Sequence, residues 1–234
     1  MRGVESAVPG SDWTRVLVVV AHPDDESFAL GALIDRHVRL GAEVSVLCLT
    51  RGEASTLGAE VDDLAAQREA ELADAARALG CARTTLLAHP DGALTDLDVR
   101  VLESDVEAEV RATRPDGILV FYPLGGVTGH PDHRAASLAA LSVATRHGIP
   151  VLGWAVPQEV SGVLNATHGA AFAGHPLNDL SAIEVDRRRQ AAAVQCHASQ
   201  AVPGSVLWQR LELLGDVEYV RVLAPPSTSS ASSA

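Results

Sequence analysis

Three apolar runs restrict the fold more than any other feature: "RVLVVVA" (15–21), "EVSVLCLT" (43–50) and "DGILVFYP" (116–123). The last has almost no polar break, so neither of its faces can meet water. Such a strand needs a covering layer on both sides, as a central strand of a parallel sheet does. Between the runs stand segments of helical spacing. Phe28, Leu30, Leu33, Ile34 and Val38 mark one helix over 26–40, stopped by Gly41. An Ala-rich stretch ends at Gly80, a helix capped by Asp96 runs to Thr113, and the Gly-rich "LGGVTG" opens into "HPDHRAASLAALSVATRHG". The short runs "TTLLAH" and "PVLGWAV" complete the series. Strands alternating with helices in this way predict an α/β fold: a Rossmann-like, doubly wound, mainly parallel sheet with helices on both faces.

The expected layout is one domain over 15–224, an extension over 1–14 and a disordered tail over 225–234, where "PPSTSSASSA" is too polar to pack. A formal net charge of −12 argues against nucleic acid and against an anionic membrane, which bind through clustered Lys and Arg. The expected substrate is therefore small, and neutral or cationic. No apolar run reaches signal-peptide or membrane-spanning length, which predicts a cytoplasmic protein. Cys48, Cys81 and Cys196 lack paired spacing, so a disulfide framework and a thiolate zinc site are both excluded. A metal would be held by histidine and carboxylate. The sequence leaves a homo-oligomer open.

In a sheet of this kind ligands bind beyond the carboxyl ends of the strands, where the strand order reverses. The first strand runs straight into "HPDDE" (22–26), and three acids at a strand mouth call for a positive partner. The fourth strand leads to "GHPDH" (129–133). Either motif alone is a common chance pattern. The signal is the pair, at the ends of strands expected to be neighbours. Two histidines and a carboxylate with one open position make a ligand set for catalytic zinc. His22, Asp25 and His133 are the expected ligands, and Asp24 stays free to take a proton. Glu26 opens the helix, where its charge suits the dipole, and is placed to orient a ligand.

Other residues read two ways. Arg51, Glu53 and Arg68 are either substrate-binding residues or solvated surface charges. Asp91, in "HPDG" after the third strand, sits at the same rim, whereas its neighbour His89 reads as a loop residue. His197 ends the stretch "DRRRQAAAVQCHASQ" and is either a pocket residue or a helix terminus at the surface. Residues 157–180 lack periodicity and read as a long binding loop.

"AHPDDE" and "GHPDH", with "LTRGE", "QREAELADAARALG" and "HASQ", resemble the signatures of the LmbE-like, or PIG-L, family of zinc-dependent N-deacetylases, over roughly residues 14 to 200. The resemblance implies a metalloenzyme that removes an acyl group, usually acetyl, from the nitrogen of a small amino sugar or conjugate. It implies zinc on His22, Asp25 and His133, with Asp24 as general base. It also implies that His130, protonated, assists the tetrahedral intermediate, and that His197 points into the pocket. The mycothiol subgroup carries an aromatic hydroxyl residue two places before its first HPDH histidine. Thr128 stands there instead, which leaves antibiotic-pathway and general carbohydrate substrates open. Two alternatives remain beside this reading: a zinc amidase acting on larger thiol conjugates, and a Rossmann-like nucleotide-binding module. The turn after the first strand lacks the Gly-rich phosphate fingerprint that the second would need.

Overall fold

The computed structural model describes residues 8–57 and 62–224. Five parallel strands, β1 (Arg15–Val20), β2 (Glu43–Thr50), β3 (Arg83–His89), β4 (Gly117–Phe121) and β5 (Val151–Pro157), lie in the order β3-β2-β1-β4-β5. The order reverses between β1 and β4, which pair directly through Val16–Gly117 and Val18–Leu119. A short β6 (Gly174–His175) bridges the end of β5, and β7 (Ser181–Glu184) and β8 (Val217–Ala224) extend the sheet antiparallel as β5-β8-β7. The helices are α1 (Asp25–Phe28), α2 (Gly31–Arg39), α3 (Leu64–Leu79), α4 (Val99–Thr113), α5 (Pro131–His147), α6 (Gln158–His168), α7 (Arg188–Cys196) and α8 (Val206–Leu214).

Side-chain parity along β1 divides the core. Val16, Val18 and Val20 join Leu33 of α2, Leu72 of α3 and Ala193 of α7 in one cluster. Leu17, Val19 and Ala21 join Val106 of α4 with Ala136 and Ala140 of α5 in the other. Alternate residues of a strand face opposite sides, so an unbroken apolar strand feeds two cores. The doubly wound α/β expectation is met.

Four local expectations are corrected. The single helix over 26–40 is two, α1 and α2, bent at Ala29 and Leu30. The carbonyls of Ser27 and Phe28 at the bend accept hydrogen bonds from Gln190 Nε2 at 3.0 and 3.1 Å, and Phe28 O also accepts from Arg210 Nη2. The cap of α4 is Asp98, whose carboxylate accepts from Arg100 N at 3.0 Å, while Asp96 closes a 3-10 turn. The expected loop over 157–180 contains α6, which buries only Ser161 and Leu164 and so shows no apolar stripe in the sequence. The packed unit begins before residue 15, because Trp13 is buried over Gly117. The tail expected over 225–234 and residues 1–7 of the extension lie outside the described residues. Among the described residues no helix is long and apolar enough to cross a membrane.

Candidate metal centre and its cleft

The carboxyl ends of β1 and β4 bring the two motifs together. Asp25 Oδ2 accepts from the backbone N–H groups of His22 and Ala21 at 2.9 and 3.2 Å, which fixes the carboxylate and turns Oδ1 outward. Asp25 Oδ1 lies 3.0 Å from His133 Nε2, and His133 Nε2 lies 3.2 Å from His22 Nδ1. His22 Nδ1 lies 3.6 Å from the other oxygen of the same carboxylate, Asp25 Oδ2. Tetrahedral ligands about 2.0–2.1 Å from zinc stand roughly 3.4 Å apart. All three side chains are buried, and the donor set and its spacing fit such an ion.

The outer nitrogens of both histidines have neighbours of their own. His133 Nδ1 is 2.7 Å from Thr128 Oγ1. His22 Nε2 faces Asp91 Oδ1 at 3.1 Å and Asp132 Oδ2 at 3.5 Å. Asp132 is in turn held by the N–H groups of Gly92 and Leu94, at 2.8 and 3.1 Å. Partners of this kind fix ring orientation and tautomer in metal sites. Burial pulls the His22 pKa down, but Asp132, Asp25 and Asp91 outweigh it and hold the imidazole well above its usual value. Burial likewise raises Asp25, and the His133 and His22 rings outweigh it, holding the carboxyl well below its usual range.

Asp24 sits at φ 137°, ψ −27°, a region that a side chain rarely adopts and that costs about 1–3 kcal/mol. Two side chains hold it there. Its N–H donates to Glu26 Oε2 at 3.0 Å. Arg68 Nη2 donates to Pro23 O at 2.5 Å and lies 3.0 Å from Asp24 Oδ2. Arg68 Nη1 also donates to Gly52 O at 2.7 Å, and a Cβ on Gly52 would fall 2.0 Å from that nitrogen, so only glycine admits the arginine. Burial raises the Asp24 pKa to about 6, against the pull of Arg68.

Each remaining expected residue has a definite place. His130 caps α5, with Nδ1 accepting from Asp132 N at 3.2 Å. Burial and the His22 and His133 charges lower its pKa. As the acceptor of that hydrogen bond Nδ1 carries no proton, which differs from the imidazolium expected. Asp91 and Arg68 line the cleft. Arg51 is exposed beside Glu69, and Glu53 accepts from Asp91 N at 3.0 Å; neither lines it. His197 is neither at the surface nor in the cleft wall. It is buried with Nε2 2.7 Å from Glu26 Oε1. His89 turns away to Asp105 at 2.6 Å.

Sequence reading missed Asp132 and Arg210. For Asp132 the signal was there: "HPD" occurs at 22–24, 89–91 and 130–132. Arg210, in the last helix, stands in no motif.

The cleft has a volume of about 720 Å³, within the ~300–1,000 Å³ of small-ligand sites. Its floor is the histidine and aspartate cluster. One flank is polar, with Arg68, Asp91 and Ser55, and the other is apolar, with Phe121, Trp154 and Leu207.

Residues 17–144 match the PIG-L family, described as GlcNAc-PI de-N-acetylase. A 1D-myo-inositol 2-acetamido-2-deoxy-alpha-D-glucopyranoside deacetylase of Kineococcus radiotolerans is 33% identical over 220 residues, which cover 73% of this chain and 61% of that protein. The chain spans 59–61% of the length of the first curated relatives it matches. The solved A40926 pseudoaglycone deacetylase superposes with a TM-score of 0.68 at 23% identity, over 90% of this chain and 98% of that one. A 4-carboxy-2-hydroxymuconate hydratase of Pseudomonas putida KT2440 superposes with a TM-score of 0.70 at 18% identity, over 92% and 98%. A deacetylase and a hydratase on one scaffold show that these likenesses carry the fold, not the reaction. The family match covers more than half of the sequence and contains both histidine motifs, so the chain belongs to the PIG-L family.

Proposed function

We propose that this chain is a zinc-dependent hydrolase that removes an N-acyl group, acetyl in the simplest case, from an amino sugar or amino-sugar conjugate. The observation that carries the reading is the convergence of His22 Nδ1, the Asp25 carboxylate and His133 Nε2, whose closest approaches to one another are 3.0–3.6 Å, beside the strained Asp24. The names borne by relatives such as the Kineococcus deacetylase support it.

Zinc at those three residues supplies Lewis acidity, polarising the amide carbonyl and acidifying water towards a pKa of about 7. The chain's own residues do the rest. Asp24, with its pKa near 6, takes the proton from the attacking water and returns it to the leaving amine. Arg68 keeps Asp24 ionised and in place. His130, as a neutral ring, donates its Nε2 proton to the oxyanion that develops on the amide oxygen. Asp91, Arg68 and the Gly92 backbone on the polar flank offer partners to sugar hydroxyls.

Elemental analysis of the purified protein, followed by an amine-release assay on N-acetylglucosamine derivatives, tests the reading. The expected result is one zinc per chain and a measurable turnover. Asp24→Asn should keep the metal and lose about 10²–10⁴-fold in kcat. Normal turnover by that variant would remove Asp24 from the role.

A further inference from the structure

The proton leaves Asp24 for the amine nitrogen, so the amine half of the substrate lies on the Asp24 and Arg68 side. The acyl substituent then projects to the opposite flank, beside His133. That flank is apolar: the Phe121 ring stands 4.5 Å from the His133 ring and 5.0 Å from Trp154, and Phe28 and Leu207 close around them. A methyl group is small against the aromatic side chains of Phe28, Phe121 and Trp154 that line this side of the cleft.

One charged side chain enters this apolar wall. Arg210 of α8 is 3% exposed and lines the cleft, with its guanidinium carbon 4.9 Å from the Trp154 ring centroid. Nη2 donates to Phe28 O, and Nη1 has no hydrogen-bond partner. No carboxylate forms an ion pair with Arg210 among the described residues. Glu218, whose field it feels, is committed elsewhere: Oε1 lies 2.6 Å from Arg187 Nη1, and Oε2 accepts from Trp154 Nε1 at 2.8 Å. Burial pulls the Arg210 pKa down to about 10.

Capping Phe28 O does not explain a buried cation. The neutral amide of Gln190 already donates to that carbonyl at 3.1 Å, whereas a buried guanidinium with no carboxylate in direct contact carries a large desolvation cost. A planar fork with a free N–H fits a carboxylate.

Resting on the hydrolase reading, we infer that the acyl group this site accepts is longer than acetyl and ends in a carboxylate, which Arg210 receives at the end of the apolar chamber. The substrate class is an amino sugar N-acylated by one end of a dicarboxylic acid. In the reaction, the water oxygen bonds to the carbonyl carbon and the carbon–nitrogen bond breaks. The amine leaves with a proton, and the dicarboxylate is released. No further reactant is needed.

The test compares N-acetyl, N-butanoyl, N-pentanoyl, N-succinyl and N-glutaryl glucosamine on the zinc-loaded protein. A carboxylate-ended acyl group should exceed its methyl-ended counterpart of equal length by about 10- to 100-fold in kcat/KM, the worth of one charge-assisted hydrogen bond. Arg210→Met should bring that ratio to about one. If the methionine variant does not fold, Arg210→Lys carries the test, with the ratio falling at least about threefold because a lysine lacks the fork. A second readout is free of turnover. Calorimetry on Asp24→Asn should show glutaric acid mono-N-methylamide binding more tightly than N-methylpentanamide, and Arg210→Met should abolish the difference. Binding with that preference but no hydrolysis of any amide by the wild type would sink the hydrolase and keep the carboxylate site. Hydrolysis of N-acetylglucosamine with no carboxylate preference would do the reverse.

Discussion

Replacing His197 with phenylalanine leaves the Glu26 carboxylate facing a ring where it now meets an imidazole nitrogen at 2.7 Å, in a place where neither side chain touches water. Breaking a buried pair by removing one partner costs about 3–5 kcal/mol. Glu26 keeps Ser27 Oγ on Oε1 and Asp24 N on Oε2, which places the loss near the low end, at about 3 kcal/mol. For a chain of this size that is a fall in Tm of roughly 6–12 °C. Adding Glu26→Gln to His197→Phe removes the stranded charge and should recover about 1–2 kcal/mol, because a neutral amide is cheaper to bury. The pH dependence has a definite sign. Burial pulls the His197 pKa down, but Glu26 outweighs it and the folded value lies above the usual 6.5. A histidine raised on folding contributes fully below its unfolded pKa, and the contribution fades as pH rises through the folded value. The stability gap between wild type and His197→Phe, from urea unfolding followed by circular dichroism, should therefore be wider at pH 6 than at pH 9. A loss under about 1 kcal/mol at pH 6, or a gap that widens with pH, would refute the pairing.

Arg68 lowers the Asp24 pKa from the value that burial alone would set, so Arg68→Met should move the acid limb of kcat/KM to higher pH; an unmoved limb would mean that another group titrates there. Thr128→Val removes the oxygen 2.7 Å from His133 Nδ1 and should weaken zinc binding by about 10- to 100-fold in a competition with a chromogenic chelator. Zinc must displace the proton that Asp132, Asp25 and Asp91 hold on His22 against the opposing effect of burial. Apparent zinc affinity should accordingly rise with pH through the neutral range, with a proton released on binding that calorimetry in buffers of different ionisation enthalpy can count.

The parallel core was legible because its signal is local. An apolar run such as 116–123 reports burial on both faces wherever the strand ends up, and β2 begins and ends where the run Glu43–Thr50 does. The break between α1 and α2 was not legible, since Phe28 and Leu30 to Val38 keep helical spacing across it. What stabilises the bend is the Gln190 amide on Ser27 O, 163 residues along the chain, and a partner at that distance leaves no local mark. The antiparallel edge was missed for a related reason. In β7 only Ile183 is buried, and β8 carries the buried charge of Glu218 beside Val220, so neither reads as a core strand.

The three "HPD" segments show how far identical local sequence can inform on a site. Each follows or approaches a strand end on the same rim, yet each contributes differently. The first, at the end of β1, brings His22 to the cluster and leaves Asp24 to the clamp of Arg68. In the second, β3 lies two strands from β1, and the chain reaches the cluster only through Asp91, while His89 turns to Asp105 of α4. In the third, Pro131 starts α5, so His130 caps the helix, Asp132 is carried inward to His22 Nε2, and His133 one residue later takes the place beside Asp25. Strand order and the helix start, not the tripeptide, assign these roles. Exchanging "HPD" for another tripeptide would consequently have three different effects at three positions, and only at the first would it remove both an expected ligand and the expected base.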